Sequence, residues 1–224
     1  MCPTPSQAVA VRPAPSQILL ETRVIAVLRA AHARDCAPVI EALLTGGVLS
    51  VELTLSTPGV FEELPRLQQR FGDAAELGVG TVTTVAEAVR AIDAGAKYLV
   101  TPSTNPEIVA AAVEKGIPIY PGGLTPTELL AGWSAGATAV KVFPASLVGA
   151  GYVSMLRGPF PDIEVVPSGG VDIADAAAWI RAGALAVSMG GPLIGDAFHG
   201  GDRKQLTERA VRLRGLVAEA QAAK

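Results

Sequence analysis

This chain of 224 residues is poor in the residues that usually announce a chemistry. It has two cysteines and two histidines, only 17% charged residues, and five lysines among its eighteen basic side chains. Cys2 and Cys36 cannot build a disulfide framework, which points to a reducing cytoplasm. His32 and His199 stand alone, and no Cys/His/Asp cluster has metal-ligand spacing, so a metal centre is disfavoured. The net charge of -3 leaves no basic footprint for nucleic acid. The first sixteen residues carry Pro3, Pro5, Pro13 and Pro15 and no long apolar run. They read as neither a signal peptide nor a membrane span but as a flexible extension preceding a single domain over 17–224. What the chain does have is apolar residues, half of the total, enough for a large core.

A glycine leads into an apolar strand again and again. Gly47, Gly95, Gly116, Gly136 and Gly183 are separated by 48, 21, 20 and 47 residues, one or two multiples of a short βα module. Filling the gaps predicts eight strands, at about 23–28, 48–54, 77–80, 97–101, 117–120, 137–143, 163–167 and 185–189. Alternating strands and helices imply a parallel sheet. Eight near-even units favour a closed (β/α)8 TIM barrel, and no GxGxxG follows the first strand to support a doubly wound sheet. Thr57-Pro58, Asn105-Pro106 and Thr125-Pro126 each read as an N-cap followed by a helix-starting proline. Thr84 with Glu87 and Thr125 with Glu128 have capping-box spacing. Leu206, Ala210, Leu213 and Val217 mark an amphipathic C-terminal helix.

Against this background Lys141 stands out, in the run Ala139-Val140-Lys141-Val142-Phe143-Pro144. Alternation puts Lys141 on one face with Ala139 and Phe143, and leaves Val140 and Val142 to pack on helices. A desolvated lysine that loses its proton is a nucleophile for ketones, whereas one at a strand end can simply snorkel to water. The other four lysines sit beside turns or on the C-terminal helix, so an amine nucleophile would be Lys141. On the second predicted strand, Glu52 shares a face with Ser50 and Thr54, opposite Leu49, Val51 and Leu53. The second and sixth strands of such a barrel face each other, so Glu52 and Lys141 can converge. Together they would supply a nucleophilic amine and a carboxyl acid/base, or else a buried ion pair.

The loops after the last two strands contain Ser168-Gly169-Gly170 and Gly190-Gly191, whose small residues either let backbone amides approach an anion or merely make tight turns. Arg29 ends the first strand, where it could grip a carboxylate or lie on the surface. Thr81, and Thr101-Pro102-Ser103, bring further groups to the same rim.

In order along the chain, VIAVLR, GGVLSVELTL, GVGTV, VTPSTNPE, YPGGLTPTE, KVFPAS and SGGV resemble the class I 2-keto-3-deoxy-6-phosphogluconate / 4-hydroxy-2-oxoglutarate aldolases from about residue 17 to the C-terminus. The resemblance implies a (β/α)8 barrel, usually trimeric, that needs no metal or organic cofactor. It implies reversible cleavage of a 2-keto-3-deoxy sugar acid to pyruvate and an aldehyde, glyceraldehyde 3-phosphate in the main case. By the same resemblance Lys141 would form the Schiff base and Glu52 would shuttle protons. Thr81, Pro102 and Phe143 would line the pyruvate pocket, and Arg29 would have to bind the carboxylate in place of the family's usual arginine. Ser168, Gly169, Gly170, Gly190 and Gly191 would surround a phosphate. Two positions depart from the family pattern. Ser56 stands where an arginine often binds the carboxylate, and Gly191 where a serine often contacts phosphate. The C4 epimer and the need for phosphate are therefore open. A phosphosugar isomerase using Lys141 and Glu52 only as acid and base, and a silent sugar phosphate-binding barrel, are the competing readings.

Overall fold

The computed structural model describes residues 11–223; Cys2, Pro3 and Pro5 lie outside them. Nine short strands and ten α-helices follow one another along those residues, alternating at all but two points. They run α1 (Gln17–Thr22), β1 (Val24–Leu28), α2 (Ala37–Thr45), β2 (Ser50–Thr54), α3 (Val60–Phe71), β3 (Glu76–Gly80), α4 (Val85–Asp93), β4 (Leu99–Val100), α5 (Pro106–Glu114) and β5 (Ile119–Tyr120). The second half comprises β6 (Gly122–Gly123), α6 (Pro126–Ser134), β7 (Val140–Val142), α7 (Tyr152–Arg157), β8 (Val165–Pro167), α8 (Ala176–Arg181), β9 (Val187–Met189), α9 (Gly191–Ile194) and α10 (Arg203–Ala222).

All strand pairing is parallel, in a six-stranded sheet ordered β5-β4-β3-β2-β1-β9 and a three-stranded sheet ordered β6-β7-β8. The last strand thus lies beside the first. Two backbone contacts link the sheets: Thr138 N donates to Ile119 O at 3.0 Å, and Leu185 N donates to Val165 O at 2.8 Å. A parallel bridge pairs Ser168 with Ser188. The predicted strand at 117–120 continues as β6 after an interruption at Pro121, which has no N–H to give to a ladder.

Strands buried on both faces separate the core into two parts. Outside, Val51, Leu53, Val140 and Val142 meet the helices. Inside, a smaller cluster holds Leu19, Ile25, Tyr98, Val100, Tyr120, Ala139 and Val166. The alternation read from the sequence assigns both faces of β2 and β7. On α10, Leu206, Ala210, Leu213, Val217 and Ala220 are fully buried, and Thr207 Oγ1 donates to Ala42 O of α2 at 3.0 Å.

Capping boxes form at Thr84/Glu87 and Thr125/Glu128, and Asn105 caps α5 before Pro106. Thr57-Pro58 is a correction. α3 starts two residues later behind Gly59, whose positive φ turns the chain, and the Thr57 hydroxyl instead accepts from Ala30 N at 3.1 Å. A threonine that finds a partner on a neighbouring loop has no need of the helix terminus. The extension read as reaching residue 16 also packs over its last residues. The Arg12 guanidinium stacks 3.4 Å from the Trp133 ring centroid and donates to the carbonyls of Trp133 and Ala137. Thr138 Oγ1 donates to Pro13 O at 2.8 Å, and Ser16 caps α1.

Candidate active site

Parallel strands bring their carboxyl ends to one rim, and a cavity of about 440 Å³ opens there. Glu52, at the centre of β2, pairs with Val27 on one side and Gly78 on the other. Lys141, at the centre of β7, pairs with Gly122 and Val166. Both side chains line the cavity although their residues are only 2% and 7% exposed. No salt bridge of 4.0 Å or less among the described residues joins them. The pair faces the cavity rather than closing on itself.

Burial pushes the Glu52 carboxyl up, opposed by the positive charges of Lys141 and Arg29. Burial pulls the Lys141 ammonium down, with Glu52 opposing and Arg29 adding to the fall. Both shifts favour the uncharged forms, a carboxylic acid and a free amine. The Lys141 Nζ lies 4.8 Å from the centroid of the Phe143 ring, which stands at the mouth. The Glu52 side chain occupies the space beside Gly80, where a Cβ would overlap its carboxyl group. Glycine at 80 is thus the clearance that lets the acid lie flat against β3.

The remaining expected residues gather on the same walls. Arg29 follows β1, Thr81 follows β3 with φ 60°, and Pro102 follows β4; all three line the cavity. Ser168, Gly169, Gly170, Gly190 and Gly191 also line it. Gly169 and Gly170 have φ of 81° and 74°, and a Cβ on Gly169 would come within 2.8 Å of Phe143. The turn therefore needs glycine for conformation and for space. Thr101 and Ser103 do not line the cavity; the Thr101 hydroxyl turns to the Ser103 carbonyl. Ser56 is likewise absent from the walls and donates to Thr54 Oγ1 at 3.1 Å, leaving Arg29 as the guanidinium at that end.

Several lining residues carried no flag in the sequence. Ser188 on β9 accepts from Ser168 Oγ at 3.2 Å, and its alternation with Val187 and Met189 was the available signal. Phe198 and His199 enter from the segment after α9, a turn whose path no periodicity predicts. Among the described residues no three His, Cys, Asp or Glu side chains gather as a metal site would require.

An amine and an acid held nearly dry in a cavity at the carboxyl ends of parallel strands define an α/β enzyme site. The family model described as KDPG and KHG aldolase matches residues 16–208. The chain is 36% identical over 165 residues to the 2-dehydro-3-deoxy-phosphogluconate aldolase of Treponema pallidum, covering 73% of this chain and 78% of that one. It is 33% identical over 170 residues to the 2-dehydro-3-deoxy-6-phosphogalactonate aldolase of Escherichia coli, covering 75% and 83%. The structure of the Legionella pneumophila KDPG aldolase, with pyruvate captured as a covalent carbinolamine, superposes with a TM-score of 0.80 at 27% identity, covering 88% of this chain and 96% of that one. The chain belongs to the KDPG and KHG aldolase family.

Proposed function

We propose that this protein is a class I aldolase that reversibly cleaves a 6-phosphorylated 2-keto-3-deoxy sugar acid, of the gluconate or galactonate type, to pyruvate and glyceraldehyde 3-phosphate. The observation that carries this reading is the placement of Lys141 and Glu52 in one cavity, near each other but unpaired, each shifted by burial toward its neutral form. We also infer that the two sheets are arcs of one closed (β/α)8 barrel. The hydrogen bonds between the sheets and the pairing of β1 with β9 support that closure.

The neutral Lys141 amine attacks the C2 ketone, and protonated Glu52 gives its proton to the departing hydroxyl, so that the carbinolamine loses water and becomes a protonated imine. The resulting Glu52 carboxylate takes the proton of the C4 hydroxyl as the C3–C4 bond breaks. The bonding electrons move onto the imine and leave an enamine. Glu52 returns the proton to C3, and water releases pyruvate. Arg29 holds the substrate carboxylate, and Thr81, Pro102 and Phe143 shape the pyruvate end. Ser168, Gly169, Gly170, Gly190 and Gly191 receive the phosphate, with backbone amides as donors. The working protein is a cytoplasmic homotrimer with small-molecule partners only, a state that light scattering would check.

The first test is the intact mass after incubation with pyruvate and sodium borohydride. The expected result is a pyruvate-sized irreversible adduct in the wild type and none in Lys141→Ala. No adduct in either protein would leave a non-covalent phosphosugar isomerase as the working account.

A further inference from the structure

Six buried side-chain polar atoms have no hydrogen-bond partner among the described residues. Five of them belong to inward-facing residues: Ser50 Oγ, Glu52 Oε2, Glu76 Oε2 and the hydroxyls of Tyr98 and Tyr120. These residues are 0%, 2%, 5%, 0% and 1% exposed. Isolated orphans of this kind are rare, because a buried polar group left unpaired gives up its hydrogen bonds to water and gains none in return. Five in one interior need a common explanation.

They are also contiguous. Ser50 and Glu52 project from the same face of β2, and Ser50 is in register with Glu76 on β3. Tyr98 lies over Gly78, the β3 partner of Glu52, where a Cβ would overlap its ring. The Tyr98 and Tyr120 rings meet edge to face with centroids 5.7 Å apart. The Tyr98 hydroxyl neighbours Ser50 and feels both Glu76 and Glu52. At the amino-terminal end of the strands, the hydroxyls of Ser16 and Ser50 neighbour Glu76. These polar groups thus belong to neighbouring residues, from Glu52 on β2, past Glu76 on β3 and the two tyrosines, to Ser16 at the start of α1. Buried water of the ordinary kind makes about three hydrogen bonds to such groups.

We propose that Ser50, Glu76, Tyr98 and Tyr120 form a buried relay of hydroxyls and ordered water that exchanges protons with Glu52 from the amino-terminal end of the strands, making Glu76 a positioning residue for the aldol reaction. The relay rests on the aldolase reading above. In one transfer, an O–H of Tyr98 or of a bridging water breaks as the Glu52 O–H forms. The donor is refilled by the Glu76 carboxyl, so one O–H bond breaks for each that forms and the phenol ends neutral. The Glu76 carboxylate recovers its proton from water at the α1 end. The groups facing Glu76 are Ser16, Ser50, Tyr98 and Tyr120. Lys141 and Arg29 act on Glu52 instead. With substrate filling the cavity mouth, such a route keeps Glu52 in exchange with solvent without reopening the site.

The test compares wild type, Glu76→Gln and Tyr98→Phe by two measurements: exchange of pyruvate methyl protons in D2O followed by NMR, and the yield of the borohydride-trapped pyruvate adduct. We expect exchange to fall about tenfold in both variants, less than the 10²–10⁴ of a group that acts on the substrate directly, with unchanged adduct yield. A merely structural role would lower both together, and that result overturns the relay. So would undiminished exchange in Tyr98→Phe, a variant that keeps the ring and serves if Glu76→Gln does not fold. A wild type that neither exchanges nor traps pyruvate would sink the aldolase reading itself, a different outcome from a wild type that does both while its variants match it.

Discussion

Two carboxyl groups lie buried on neighbouring strands, and the difference between them accounts for most of what this interior can do. Glu52 sits at the centre of β2 under a cavity and within the field of two cations, Lys141 and Arg29. Glu76 begins β3 among hydroxyls, and no cation opposes the effect of its burial. Burial pushes both carboxyls up, and only Glu52 has positive charge pulling it back. Opposing pulls keep an acid near the point where it can both give and take a proton. At Glu76 the opposing pull comes only from the hydroxyls of Ser16 and Ser50. Proximity to positive charge, more than depth, is what distinguishes the two acids.

The sharpest way to break the comparison is to remove the ionisable group that faces the cavity. Glu52→Gln keeps shape and removes proton transfer, so kcat should fall by about 10²–10⁴ in a cleavage assay while the far-ultraviolet circular dichroism is unchanged. A smaller effect should follow from Gly80→Ala. Its Cβ needs the space of the Glu52 carboxyl, so the acid must rotate. We expect about 1–3 kcal/mol of lost stability in denaturant titration, the usual penalty for overpacking, together with a lower kcat.

The smallest effect concerns stability against pH. The folded Glu76 carboxyl is raised above its unfolded value of about 4.3, so between those two values the native state binds more protons than the unfolded chain. The contribution is therefore fully present at low pH and is lost as pH rises through the folded value. Glu76→Gln should flatten the fall in Tm expected as pH rises above that unfolded value. If the slope is as steep in Glu76→Gln as in wild type, Glu76 does not differ from an exposed carboxylate.

Alternation on β2 and β7 was readable because a strand sends successive side chains to opposite faces whatever its neighbours are. For that reason Ser50, Glu52 and Thr54, and on the other strand Lys141, could be placed on inner faces from a few residues each. The two capping boxes and the heptad-like leucines of α10 were readable on the same ground, since they depend on neighbours three or four positions away. Thr57-Pro58 misled because the threonine hydroxyl found its partner across a loop, at Ala30. No local pattern joins Ser50, Tyr98 and Tyr120, because the three lie on three different strands or strand ends.

By itself the sequence determined which segments alternate, which faces carry polar groups, and which single lysine stands in an apolar strand, all properties of separations of a few residues. Tertiary structure decided what those faces meet. It brought the eleven expected site residues, from Arg29 to Gly191, around one cavity and left Lys141 and Glu52 unpaired within it. It added Ser188, Phe198 and His199 to the walls and folded Arg12 back onto Trp133. Register between strands and the paths of loops set those distances, and both depend on contacts between residues far apart in the chain, which no local period encodes.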